Sequence, residues 1–471
     1  MSYRPTRRAT FGLPVLALPL SAGAVPATGF TPEMFGARGD GVTDDTLAFS
    51  RLSEAVNGQS GGVVNLRRTV YLVGQQTLQS GTTGDWSYRP APLLEFRKCT
   101  QRLQIIGNGA RLILASGLRF GTFSRTTGLA TTNKLPFYDR TAMASPCAAM
   151  LWVEDCSGGI EISDLELDGN IGKTVIGGPF GDTGRQIPAT GLLLSNNRGS
   201  EIVRNVFSHH HGTDGVMIDG LDAAPSKLVK REFTKVRATD NGRQGCSLVG
   251  GRGYSFAGCT FERSGRGPVS SAPGAGFDIE AEGGKVISDI RFSDCLFSDN
   301  TGCGMVADSG PSSHVSFTRC TFIGTTSVAA WPSKPFYRFD HCRFVGATVR
   351  TFADDTPGAA TQFSDCLFTD SPALSPTGVV FLVHPIIDTG GGKNVRFTRC
   401  AFKLVGRGRL PWSTESIYVD CSFSQRTDVM SYPRGVFRGT NVIVGHVDTN
   451  GSKNFGSLKI NGKAVAVSPG R

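Results

Sequence analysis

Asp278 and Glu280 stand two residues apart in the run Gly276-Phe277-Asp278-Ile279-Glu280. Alternation along a strand turns both side chains to one face, ~6–7 Å apart by strand rise. Glycosidic hydrolysis needs one protonated and one ionised carboxyl, about 5 Å apart for retention and ~6.5–9.5 Å apart for inversion. Asp278 paired with Glu280, or with Asp214, can meet the longer range. β-Elimination needs other parts: a positive group to neutralise a uronate carboxylate, and a base to take the ring proton. Arg243 can neutralise, His211 can act as the base, and Asp278 with Glu280 can hold Ca2+ through oxygen. The expected catalytic set is therefore Asp278, Glu280, Asp214 and His211. Arg243, Gln244, Asp219, His209, His210 and Glu282 are the expected substrate contacts. No metal ligand and no obligatory cofactor is assigned; Ca2+ enters only with elimination.

A repeat must hold these residues in place. The phrase aromatic-x-x-Cys-x-Phe starts at Phe256, Phe292, Phe317, Phe339, Phe363, Phe397 and Tyr418. Upstream the frame persists as Ile162-x-x-Leu165-x-Leu167, Ile202-x-x-Asn205-x-Phe207 and Phe233-x-x-Val236-x-Ala238. Five of the nine spacings between starts lie between 21 and 25 residues, the period of one solenoid coil. Each copy holds two short apolar strand pieces and a tight turn, with no helical stripe. A single coil cannot bury its own apolar face, so the coils stack into one long core.

After each phrase a loop leads to a strand that opens on glycine, at Gly191, Gly215, Gly245, Gly276 and Gly304. The second and fourth residues are apolar and point in, so the third and fifth point out. One outward column is Leu193, Met217, Ser247, Asp278 and Val306; the next is Ser195, Asp219, Val249, Glu280 and Asp308. The acids are thus expected on one exposed strand face, with Asp219 roughly 10 Å from Glu280. Loops with His209–Asp214, Asp240–Gln244 and Arg266–Ala275 should wall that face. The spacings of 40, 31 and 36 residues fall between residues 162 and 292, and extra coil length commonly builds the binding face.

At 471 residues the chain has room for several domains, but no linker or charge run interrupts residues 60 to 430. Arg4, Arg7 and Arg8, the weakly apolar run Phe11 to Leu20, and small residues before position 28 have the pattern of an export signal over 1–27. That run is too short to span a membrane. The expected location is periplasmic or secreted. The formal charge is +10, and removing residues 1–27 takes away three arginines and no acids, leaving +7. That balance suits an anionic partner. Basic runs with interleaved aromatics, which would argue for nucleic acid, are missing. Seven of the twelve cysteines share one slot of the repeat. Coils lie ~4.8 Å apart, too far for the ~3.8 Å Cβ separation of a disulfide. A ladder of buried free thiols is expected instead.

Residues 33–49 carry glycines at 36, 39 and 41, then Asp44-Asp45-Thr46. Asp44 or Asp45 can cap a helix running to about Asn57, with Leu47, Leu52, Ala55 and Val56 as its apolar side. Such a helix covers the bare edge of a first coil. The phrase Phe35-Gly36-Ala37-x-Gly39-Asp40-Gly41-x-x-Asp44-Asp45-Thr46 closely resembles the opening of the pectate-lyase-like superfamily. That resemblance implies an all-β, single-stranded right-handed parallel β-helix with a short N-terminal capping helix. The expected divisions are 1–27 signal, 28–60 cap, 61–430 β-helix and 431–471 C-terminal strands. Thr213-Asp214-Gly215-Val216 resembles the Asn-Thr-Asp-Gly stretch of polygalacturonases, whose Asp is catalytic. The chain then departs from that pattern: Thr239-Asp240-Asn241 stands where a paired Asp belongs, and no Gly-His-Gly or Arg-Ile-Lys follows.

The resemblance and the acids together imply depolymerisation of a polysaccharide, an acidic one on the charge balance. Hydrolysis comes ahead of elimination because acids outnumber candidate bases. The alternative is a non-catalytic β-helix that binds or organises polysaccharide, marked by a groove without convergent acids. A phage tailspike is set against by the N-terminal signal. The oligomeric state is not legible in the sequence.

Overall fold

The computed structural model describes residues 29–78, 88–131, 144–177, 188–221, 229–346, 349–382, 385–389 and 391–468. The expected export signal lies outside the described residues. The recurring phrase folds as two strand pieces meeting at a sharp corner. Its third residue is left-handed, from Asp164 through Lys235, Gly258, Asp294 and onward to Asp420, with φ between 51° and 60°. The copy read from Ile202 is shifted by one: Ile162 pairs with Val203, so the buried frame starts at Val203 and Asn205 is its left-handed third residue, not its fourth. One left-handed residue turns the chain while its neighbours stay extended, and Asp, Asn and Gly tolerate that conformation best.

Stacking follows from the fixed corner. Phe256, Phe292, Phe317, Phe339, Phe363, Phe397 and Tyr418 lie face to face, with centroids 4.6–5.1 Å apart. The second Phe of the phrase makes a parallel stack, edge-on to the first. The seven repeat cysteines are buried and free. They are more than small hydrophobes. Cys342 donates its thiol to the Phe317 carbonyl (3.4 Å), Cys366 to Phe339 (3.5 Å) and Cys421 to Phe397 (3.4 Å). Each thus reaches back to the coil before it, and 37 strands join one continuous, overwhelmingly parallel ladder.

The N-terminal helix runs Thr46–Gly58. Asp44 accepts the Thr46 N–H at 3.0 Å, satisfying a donor at the helix start. Asp45 does not cap through its side chain. Its carboxylate takes the N–H groups of Arg38 (2.7 Å) and Gly39 (3.0 Å) and closes the opening loop. Leu47, expected on the apolar side, is exposed; Ala48, Phe49, Leu52 and Val56 face the first coil, where Phe49 packs edge-on against Tyr71. At the other end, parallel pairing runs past residue 430. Thr440–Val444 lies on Ser422–Ser424, and Ser457–Ile460 lies on Thr440–Val444. Lys463–Ala464 then folds back antiparallel and ends the ladder.

The face that matters for chemistry is built from Ala149–Glu154, Thr190–Ser195, Asp214–Asp219, Gln244–Arg252, Phe277–Ile279, Met305–Ala307 and Ala330–Pro332, paired in that order. Its register aligns Trp152, Leu193, Met217, Ser247, Asp278, Val306 and Trp331 in one outward column. The second expected column does not hold. The register slips after Ile218, so Asp219 pairs with Gly250 and not with Val249.

Candidate active site

Asp214 and Gln244 pair at the start of neighbouring strands, and Ser247 and Asp278 pair one coil further along. Their side chains meet. Ser247 donates to Asp214 Oδ2 at 2.9 Å and also touches Gln244, while Gln244 donates through Nε2 to Asp278 Oδ2. Arg243 enters from the turn before Gln244. Its Nη1 lies 3.5 Å from Asp214 Oδ2 and its Nη2 3.7 Å from Glu280 Oε2. Glu280 also accepts the Ser309 hydroxyl at 2.6 Å. The structure therefore brings together Asp214, Arg243, Gln244, Asp278 and Glu280, with Glu282 in electrostatic range of Arg243.

The face is covered, not exposed. Asp278 retains 4% of its accessible surface and Asp214 1%. An apolar cluster of Ala275, Cys303 and Val306 adjoins Asp278, Val306 being its neighbour in the column. The loop after Glu262 docks on the turn that carries Arg243, through Gly265 N–H to Asn241 O and Ser271 N–H to Gly242 O. Its Val269 packs with Phe120 and Ile171 from two other loops. Burial, reinforced by the charge of Glu280, pushes the Asp278 carboxyl up to about 8 against the opposing pull of Arg243 and Gln244. Burial also raises Asp214, opposed by Arg243 and Ser247. For Arg243, burial works to lower the pKa, and Asp214, Asp278, Glu280 and Glu282 outweigh it, so the guanidinium stays charged. At neutral pH Asp278 thus keeps its proton, beside Glu280, which is 31% exposed at its side chain.

The histidines are elsewhere. His211 is fully buried; its backbone N–H donates to Asn241 Oδ1 and its Nε2 lies 3.1 Å from the Leu167 carbonyl. Burial drives its pKa down to about 3. The structure sets this ring in the corner against Leu167, not among Asp214, Arg243 and Asp278 where the base is expected. His209 and His210 sit on the adjoining face, with Asp168 and Glu166, because the strand Glu201–His209 ends there before the chain turns toward Asp214. Asp219 is held by Lys285 and by Ser195 at 3.3 Å, in the slipped second column.

Three residues escaped the sequence reading. Ser247 bridges Asp214 and Gln244, and only its place in the outward column could have flagged it. Trp152 and Trp331 occupy the same column on either side of the acids, each partly exposed. Arg97 lies 4.4 Å over the Trp152 ring and Arg350 3.8 Å over the Trp331 ring. Among the described residues, no helix is long and apolar enough to cross a membrane.

A solenoid of stacked parallel coils with its polar centre on one strand face defines the chain as a right-handed parallel β-helix protein. A family model described as right handed beta helix region matches residues 151–347. Among known proteins, the chain is similar to depolymerase 1, capsule KN3-specific, of Klebsiella phage KN3-1, at 24% identity over 357 residues. That alignment takes in 67% of this chain and 39% of the relative, so the chain spans about two fifths of the relative's length. Among solved structures, it is similar to the A-module of mannuronan C-5 epimerase AlgE4 from Azotobacter vinelandii, with 16% identity and a TM-score of 0.44 over 93% of this chain and 100% of that one. It is also similar to the tailspike protein gp49 of Acinetobacter baumannii bacteriophage Fri1, a capsular polysaccharide depolymerase, with 14% identity and a TM-score of 0.40 over 93% and 64% of the two chains.

Proposed function

We propose that this protein cleaves a polysaccharide by glycosidic hydrolysis. Asp278 is the general acid and Glu280 the carboxylate that activates water. The observation that carries this reading is a buried carboxyl, raised to about 8, two residues along the chain from a partly exposed carboxylate that a guanidinium holds. A buried carboxyl that keeps its proton can donate it, and a partly exposed one beside it can reach water. Strand rise separates the pair by ~6–7 Å, at the lower edge of the inverting range. Elimination is disfavoured because the His211 ring packs against the Leu167 carbonyl and not among the acids, and because Arg243 is already engaged by Asp214 and Glu280. The phage relative's printed name, a capsule depolymerase, supports polysaccharide as the substrate class. It also reopens the phage class that the N-terminal segment had set aside. The positive formal charge of the chain, with Arg350 over Trp331, supports an acidic polymer. Residues 1–27 support action outside the cytoplasm.

The test is a panel of acidic and neutral capsular polysaccharides, reading reducing ends and unsaturated-product absorbance together. Hydrolysis gives new reducing ends without absorbance. Asp278→Asn and Glu280→Gln should each lower the rate by ~10²- to 10⁴-fold, the worth of a general acid or base. Absorbance rising with the reducing ends would establish elimination in place of hydrolysis. Binding without any cleavage would leave the non-catalytic reading.

A further inference from the structure

On the adjoining face, Asp168 and His209 are cross-strand partners at the ends of Ile160–Asp168 and Glu201–His209, and His210 begins the turn toward Asp214. The His209 ring stacks on Phe207, with centroids 4.1 Å apart, which fixes its orientation. Its Nε2 lies 3.1 Å from Glu166 Oε1. An ionised carboxylate only accepts, so Nε2 carries the proton and Nδ1 presents a lone pair. That Nδ1 stands 3.7 Å from Asp168 Oδ1 and 2.6 Å from His210 Nδ1. Asp168 is steadied in turn by Arg111 and by the Asn170 N–H at 2.9 Å. Two imidazole nitrogens and one carboxylate oxygen therefore converge, all within 4.8 Å of one another.

The geometry points to a divalent transition-metal site formed by Asp168 Oδ1, His209 Nδ1 and His210 Nδ1, of the Zn2+ class. Bonds of ~2.0–2.1 Å in a tetrahedral shell put ligand atoms ~3.3 Å apart, between the two separations seen here. The Glu166–His209 contact is the carboxylate–histidine arrangement that orients a metal-bound ring. Imidazole donors suit Zn2+, Ni2+ or Cu2+, whereas Ca2+ takes six to eight oxygens, as a rule of thumb about the two classes. Glu166 and Asp168 against Arg111 leave a net negative charge facing the ion. His210 is partly exposed, which leaves a side open to water or entering metal. The ion would tie two successive coils at the corner that leads into Asp214. It is distinct from the Ca2+ considered for Asp278 and Glu280.

The test uses tag-free full-length protein stripped with chelator and titrated calorimetrically with ZnCl2, with Co2+ absorption reporting the ligand set. Wild type should bind one ion at this site, show tetrahedral Co2+ bands and melt at a higher temperature with Zn2+. His210→Ala and His210→Gln should abolish the bands and the thermal shift. Glu166→Gln should weaken binding by about 10- to 100-fold. His341→Ala controls for the second cluster, Asp340, His341 and Asp365, and should leave the binding intact. Absence of stoichiometric binding in wild type would overturn the site. So would binding unchanged in both His210 variants, with folding verified by circular dichroism.

Discussion

A single carboxyl, Asp278, sets the pH behaviour expected of this molecule. Its folded pKa of about 8 lies above the ordinary 3.8, so between those values the folded chain holds a proton that the unfolded chain has lost. Stability contributed by this group therefore falls as pH climbs from ~4 to ~8 and is level beyond. Asp278→Asn removes the ionisation and should raise the melting temperature relative to wild type at pH 8, with little difference at pH 4; a reversed order would contradict a raised pKa. In the proposed hydrolysis the same proton is delivered to the leaving group. The ratio kcat/KM should fall as pH rises through about 8, and that limb should disappear in Asp278→Asn along with most of the rate. Strand alternation marked Asp278 and Glu280, and the loops expected to wall their face carried Arg243, Gln244 and Asp214. Their burial was not legible, because the loop after Glu262 docks on the turn that carries Arg243 while its Val269 packs with Phe120 and Ile171, which are far away in sequence. His211 misled for a related reason: it is three residues from Asp214, yet the tight turn between them sends its ring inward.

At the scale of the coil, the corner explains both what the repeat disclosed and where it fell silent. Aromatic, left-handed residue and cysteine recur because the stacks, the bend and the thiol-to-carbonyl bonds each need one fixed place. After Tyr418 the next copy runs from Phe437 to Ile443, opposite Tyr418 and Phe423, so its corner is one residue longer. Asn441 takes over there, accepting the Cys421 N–H at 2.9 Å. The extra residue breaks the frame without breaking the ladder, so the weakened pattern was read as a change of domain after residue 430. The stacks also rank the repeat positions by energy. Phe339 packs between Phe317 and Phe363, at 4.8 and 5.0 Å, and is buried. Phe339→Ala should cost ~3–5 kcal/mol in denaturant unfolding, as expected for an aromatic removed from a core. Cys342→Ala, which loses one sulfur and one weak hydrogen bond to Phe317, should cost less. Equal costs would mean that the thiol ladder, and not the ring stack, dominates the corner.

For the whole molecule, the solenoid axis is a ruler laid along the candidate site. Trp331 stands two coil steps from Asp278 and Trp152 four steps the other way, in one unbroken register. Parallel strands are ~4.8 Å apart, so the platforms lie about 10 Å and 19 Å from the acid. Neither tryptophan carried a sequence motif; only the assembled column reveals that they share a line with the acids. A polymer lying along that line meets both rings and the guanidinium over each, while a short oligosaccharide spanning the acids meets Trp331 at most. Trp331→Ala and Trp152→Ala should each lower kcat/KM on long polysaccharide by about tenfold, equivalent to ~1.4 kcal/mol of lost contact. The losses should add in the double variant, because the rings are too far apart to share a partner. On the shortest cleavable oligosaccharide, Trp152→Ala should leave kcat/KM unchanged and Trp331→Ala should retain part of its effect. If Trp152→Ala slows short and long substrates alike, the polymer does not follow the axis. The acids would then be reached across the coils, past the loop that carries Val269.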